Sequence, residues 1–199
     1  EIEFLASGTG AVAELLNRLH VPMEGWTPPG VTPVQYMKAL GVLAAQPLLA
    51  HCNYLTDGDI RLLAESGASV AFCPRSHHYF YHTEHPIERL LEAGVNVAIG
   101  TDSLASNWSL SMHDELRFLA RTHSHIPPET LIDLVTINGA KGLRLNRVGR
   151  LEKGWQADAI AVGIANDGRP VIGQILDESA QNLLTVVAGK ICYDVSAPR

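Results

Sequence analysis

Val95-Asn96-Val97-Ala98-Ile99-Gly100-Thr101-Asp102 is a nearly unbroken apolar run that ends in a hydroxyl and a carboxylate. A strand wetted on one face alternates apolar with polar residues; a strand covered on both faces does not. Two earlier stretches share the pattern, Pro47 to Cys52 and Ser69 to Cys73. Between them lie helical segments with recognisable ends. Thr56 to Ala64 opens on Thr56 with Asp59 three residues on, the spacing of a capping box, and stops near Gly67. Pro86 to Ala93 is stopped by Gly94. Buried strands that recur every 20–30 residues with helices between them predict parallel βα units, an α/β fold.

Upstream, Ile2, Phe4 and Leu5, then Val12, Leu15, Leu16 and Leu19, have helical spacing with a break between them. The Pro- and Gly-rich stretch from Gly25 to Gly30 reads as a loop, with Trp26 as its packed anchor or a pocket wall. Thr32-Pro33 then opens a helix through Leu40 or Leu43. Downstream, helices are expected from Ser111 to Arg121 and from Pro127 to Ile137, extended by Ala140 to Leu143. After Gly149-Arg150-Leu151-Glu152-Lys153-Gly154 the style changes to strands at 159–162, 183–187 and 190–193. The expected boundary lies at Arg147, with 1–147 α/β and 148–199 β-rich.

Composition removes other classes. The 199 residues are 46% hydrophobic and 18% charged, too apolar for a disordered chain. A net charge of −6, without a basic run, argues against a nucleic-acid surface. No apolar run reaches the roughly 20 residues that span a bilayer. Cys52, Cys73 and Cys192 are three and far apart, which favours a reducing cytoplasm over a disulfide framework. Cys52 and Cys73 read as small buried side chains at strand ends.

In parallel α/β barrels chemistry collects at the C-terminal ends of the strands. Those ends carry His51-Cys52-Asn53, Cys73-Pro74-Arg75-Ser76 and Thr101-Asp102-Ser103. A histidine and an aspartate on separate strand ends suit a divalent metal or acid–base work. They equally suit a buried histidine and an aspartate capping the next segment. Four histidines at 77, 78, 82 and 85, mixed with Tyr79, Phe80 and Tyr81, read as an active-site loop or substrate-facing lid, with a plain surface loop or a metal ligand as the other readings. Arg75 either meets an anionic group or pairs with a carboxylate. His123-Ser124-His125 reads as surface loop.

Together these stretches resemble the C-terminal part of the amidohydrolase superfamily. The motifs are His51-Cys52, Cys73-Pro74-Arg75-Ser76, Leu90 to Val97, Gly100 to Asn107, and Gly149 to Gly154 followed by Ala157-Asp158-Ala159. They are similar to the chlorohydrolase and purine-type deaminase branch, and Thr101 to Asn107 is most like aminodeoxyfutalosine and methylthioadenosine deaminases. The resemblance implies strands six to eight of a (β/α)8 TIM-type barrel, then a segment of a composite β-sandwich. It implies that Asp102 binds a divalent metal, zinc or iron, and takes a proton from the attacking water. His51 would polarise water or substrate, and Ser106 and Asn107 would contact substrate or shape the loop; Arg75 and His77, read from their places beside strand seven, are further candidates for substrate contact. The family has Asn where His77 stands.

The reaction implied is hydrolytic deamination of an aminated purine or related heterocycle. The alternatives are C–N or C–Cl hydrolysis of a triazine or imidazolone, or a non-catalytic barrel fragment acting in assembly. The resemblance also implies further histidines and a glutamate from strands one to five, upstream of residue 1. The chain alone is therefore expected to hold an incomplete metal site and to be inactive. Three strands cannot close a barrel and leave an open edge. Association with a missing N-terminal half, or homo-oligomerisation that covers the edge, is expected.

Overall fold

The computed structural model describes residues 2–165 and 167–197. It opens with α1 (Ile2–Ser7) and α2 (Gly10–Arg18), the broken helical start expected from the apolar spacing. Phe4 stacks on Trp26 at 4.3 Å between ring centroids, anchoring the Pro-rich loop to α1. Helix α3 (Pro33–Ala39) begins in a capping box of Thr32 and Gln35, and a 3-10 turn follows at Val42–Ala45. The βα units come next: β1 (Leu48–Ala50), α4 (Asp57–Ser66), β2 (Ser69–Phe72), α5 (Pro74–Tyr79), α6 (Ile87–Glu92) and β3 (Asn96–Ile99). Helices α7 (Met112–Thr122), α8 (Pro128–Val135) and α9 (Ile137–Gly142) complete this part. After it lie β4 (Ala159–Gly163), α10 (Val171–Ile175), β5 (Gln181–Val187) and β6 (Lys190–Asp194).

Strands β1, β2 and β3 are parallel and adjacent in that order, with Leu49 opposite Val70 and Val70 opposite Val97. Every residue of β3 is buried, as its apolar run requires. Val70, Phe72, Val97 and Ile99 meet Leu63 of α4, Ile87 and Leu90 of α6, and Leu116, Leu119, Leu131 and Leu134 of α7 and α8 in one core. Polar ties set the N-terminal ends of the strands. Asn96 donates to the Ser69 hydroxyl and to the Asn138 carbonyl, and Asn138 returns a bond to the Val97 carbonyl. Asp59, buried at the start of α4, accepts from both the Thr56 and the Thr32 hydroxyls, so one carboxylate joins the caps of α3 and α4.

Four expectations are corrected. β1 is an edge strand rather than a buried one: Leu48 and Ala50 are exposed, because among the described residues only β2 pairs with it. Residues 76–79, expected as loop, continue the turn begun at Pro74 into α5, with the proline in its favoured first position. The helix expected through Leu143 breaks at Thr136, whose hydroxyl bonds back to the Ile132 carbonyl. Helix α10 lies where no helix was expected.

β4, β5 and β6 form a separate antiparallel sheet with a register shift in each pairing. None of their described residues is buried. Among the described residues no helix is long and apolar enough to cross a membrane.

Candidate active site

The ends of β1 and β3 both turn sharply. The His51 N–H continues the parallel ladder by donating to the Ala71 carbonyl at 2.8 Å. The Cys52 N–H then folds back to the Ala50 carbonyl at 2.9 Å, around a His51 φ of +64°. That pairing and sign belong to the strained, positive-φ form of the γ-turn. Cys52 follows at φ +54° and Asp102 stands at φ +58°. Non-glycine residues in this region cost free energy and persist where surroundings hold them, often at functional sites. No local sequence signal announces these turns, since none of the three residues is glycine.

His51, Ser76, His77 and Asp102 line one cavity of about 800 Å³, together with Tyr54 and His82. Ser76, at the start of α5, donates to Asp102 Oδ2 at 2.7 Å. Ser106 donates to the same oxygen at 3.0 Å, and the two hydroxyls lie 2.9 Å apart. The Ser76 bond, reinforced by Ser106 and by the nearby His51, holds the Asp102 carboxyl below its usual range against a partial burial penalty. Asp102 is therefore an ionised, oriented acceptor at neutral pH.

The histidine cluster is aromatic in character. His85 is buried, and that burial pushes its pKa down to about 3. Burial and the neighbouring His82 push His77 down to about 4. Both rings are neutral at pH 7, and the His77 Nε2 has no partner among the described residues. Tyr54 and His82 are joined at 2.8 Å between the phenol oxygen and Nδ1. Burial pushes the Cys52 thiol up to about 12 and Cys73 to about 11, so neither is a nucleophile at neutral pH.

Three of the residues expected at substrate are buried and hold partners within the chain. Arg75 is 1% exposed and lies 3.6 Å from Glu115 and 3.5 Å from Asp114, with its guanidinium under the Trp108 ring. Of the two roles open to it, pairing with carboxylates is the one the structure contains. Asn107 is also buried. Its amide spends one hydrogen on the Glu115 carboxylate and the other on the Thr101 carbonyl, beside Asp102. Ser106 is buried behind Asp102. His77 does face the cavity.

Sequence reasoning missed Glu115 as the centre of this network. It is fully buried on α7 and binds the Arg75 backbone N–H at 3.1 Å. Burial pushes its carboxyl up, opposed by Asn107 and Arg75. Its partners lie up to 40 residues away, so no local pattern marks it.

His51 and Asp102 are an imidazole and a carboxylate facing one cavity, donors that suit zinc or iron. Among the described residues no three His, Cys, Asp or Glu side chains gather as a metal site. The donors present fit part of a four-coordinate site and leave the rest to be supplied.

The Amidohydrolase family matches residues 24–192. A 5-methylthioadenosine/S-adenosylhomocysteine deaminase of Nitratidesulfovibrio vulgaris is 35% identical over 177 residues, 82% of this chain and 40% of the relative. The zinc-bound crystal structure of an adenosine deaminase from Xanthomonas campestris superimposes with a TM-score of 0.78 at 28% identity, covering 92% of this chain and 48% of that one. An atrazine chlorohydrolase from Arthrobacter aurescens, complexed with zinc and atraton, gives 0.76 at 25% identity, with 85% and 42% covered. The chain spans about 40% of the length of the curated relatives it matches.

Proposed function

The chain belongs to the amidohydrolase family, and from that premise we propose that it carries the proton-handling side of a metal-dependent deaminase acting on an aminated purine nucleoside. The observation that carries this reading is the placement of Asp102. It sits at the end of β3, in a left-handed turn, held ionised by Ser76 and Ser106 and facing the same cavity as His51. The likeness to 5-methylthioadenosine/S-adenosylhomocysteine and adenosine deaminases supports the substrate class.

Residues 1–147 would be strands six to eight of a (β/α)8 barrel, and 148–199 a segment of a β-sandwich; the uncovered second sheet supports the latter. Asp102 would hold the metal, with His51 beside its water. Zinc or iron, when bound, brings the pKa of a water to about 7, so hydroxide is available at neutral pH. The Asp102 carboxylate accepts the water's proton and returns it to the departing amine, which leaves as ammonia. The His51 imidazole orients the attacking oxygen. The remaining donors would come from an upstream half or a second copy, which would also cover the β1 edge. We place the protein in the cytoplasm.

The test uses the zinc-loaded protein at its natural length. Ammonia release is followed with 5′-methylthioadenosine, S-adenosylhomocysteine and adenosine. Turnover with stoichiometric zinc, both lost in Asp102→Asn by at least about 100-fold, is the expected result. The likeness to the atrazine chlorohydrolase favours a second reading, C–Cl hydrolysis of a triazine. Chloride release without deamination would establish it. Absence of both metal and turnover would leave a non-catalytic barrel fragment.

A further inference from the structure

We propose that His85 is a positioning residue for His51: its imidazole clamps the carbonyl at the centre of the strained turn and so fixes where the His51 ring points. The inference rests on the role given above to His51.

The His51 carbonyl lies 2.7 Å from His85 Nε2. A carbonyl oxygen can only accept, so Nε2 carries the proton and Nδ1 is bare. Nδ1 is buried and has no partner among the described residues. Leaving a ring nitrogen unpaired in the interior is unfavourable. A phenyl ring would fill the same space without that penalty. The one thing the imidazole adds over phenyl is the N–H on His51.

The clamp is itself rigid. His85 is 6% exposed and stacks on Phe72 of β2 at 3.8 Å and 13° between planes. The edge of His77 closes a second side at 5.7 Å. Pro86 follows, restricting the His85 backbone to extended conformations. Phe72 sits in the central strand, so the clamp is referenced to the most buried part of the sheet. The Tyr54–His82 bond ties the same two segments again, nearer the cavity. His51 needs such support because β1 is an edge strand and its last turn has a positive φ. Without the clamp the turn can relax and carry the imidazole out of line with Asp102.

The test is made on the zinc-loaded protein at its natural length. His85→Phe keeps the ring and its stack and removes the donor; His85→Gln restores an N–H. The Phe variant is expected to lose about 10- to 100-fold in kcat, with KM and zinc content little changed, and Gln to recover part of the loss. Unchanged kcat in the Phe variant, or a loss confined to KM and Tm, overturns the proposal. A measurement on the unaltered protein stands beside the variants in case they fail to fold. Nuclear magnetic resonance should find the His85 Nε2 proton protected from exchange and coupled to the His51 carbonyl carbon. A His85 ring protonated at Nδ1 instead overturns the clamp. If the unaltered protein deaminates nothing, the functional reading has failed, and the resonance measurement still decides the clamp.

Discussion

The Ser76 hydroxyl donates to Asp102 Oδ2 across 2.7 Å, joining the residues that follow two adjacent parallel strands. The bond favours the ionised carboxylate and fixes its plane. Ser76→Ala should let the Asp102 pKa rise toward its ordinary value, visible in a carboxyl titration of the metal-free protein. Ser106 still donates, so the rise is partial. Zinc affinity should fall about 10-fold, as is usual when a ligand loses its supporting hydrogen bond. An unchanged titration would show that Ser106, His51 and the Ser103 backbone hold the carboxylate without Ser76.

His77 gives a pH dependence with a definite sign. Its imidazole is pushed from 6.5 to about 4 on folding, by burial first and then by the neighbouring His82, His123, His78 and His51. Between those values the unfolded chain holds a proton that the folded chain does not. Stability therefore rises with pH across this window and is lost as pH falls from about 6.5 to about 4. Below the folded value this group adds no further change. Urea midpoints at pH 7 and pH 4.5 should converge in His77→Asn relative to the unaltered chain. Equal pH sensitivity in both would assign the loss to other groups.

The strands of the first sheet were legible because burial on two faces leaves a mark on every residue, as in Val97, Ala98 and Ile99. The caps at Thr32 and Thr56 were legible because their partners lie three residues away. β1 misled because an apolar run such as Pro47 to Ala50 does not say how many neighbours its strand has. Helix α5 was hidden by its composition, Arg75 to Tyr79 being polar and aromatic without an apolar period. His51 and Asp102 could be named as candidates from their places at strand ends. Their turns could not, nor could the link from Asn107 to Glu115, which exists only once α7 has packed against the sheet.

Arg75 and Glu115 are 1% and 0% exposed and lie 3.6 Å apart, and Arg75 also meets the partly exposed Asp114 at 3.5 Å. Removing Glu115 leaves the buried guanidinium with only the more exposed Asp114 carboxylate to balance it and leaves the Arg75 N–H and the Asn107 amide without their acceptor. Glu115→Ala should cost about 3–5 kcal/mol in urea unfolding. Replacing both, Arg75→Met with Glu115→Leu, should restore most of that, since a packed apolar pair needs no desolvation of charge. If the double variant is no more stable than the single one, the Asn107 and Asp114 contacts carry the network.

Gly149 and Gly154 bracket the turn-rich motif before β4, and both have positive φ, +100° and +86°. Their surroundings differ. A Cβ at Gly149 would lie 2.9 Å from the Ile137 Cα and 3.0 Å from the Thr136 carbonyl, backbone that cannot rotate away. At Gly154 nothing lies within 4 Å. Gly154→Ala therefore meets only the left-handed conformation and should cost about 1 kcal/mol. Gly149→Ala meets that cost and must also push the chain off the break between α8 and α9, for a total of about 2–4 kcal/mol. The difference between the two variants in thermal or urea unfolding measures how tightly the motif is pressed against Thr136. Equal losses would mean that the segment leading into the second sheet does not rest on that break in solution.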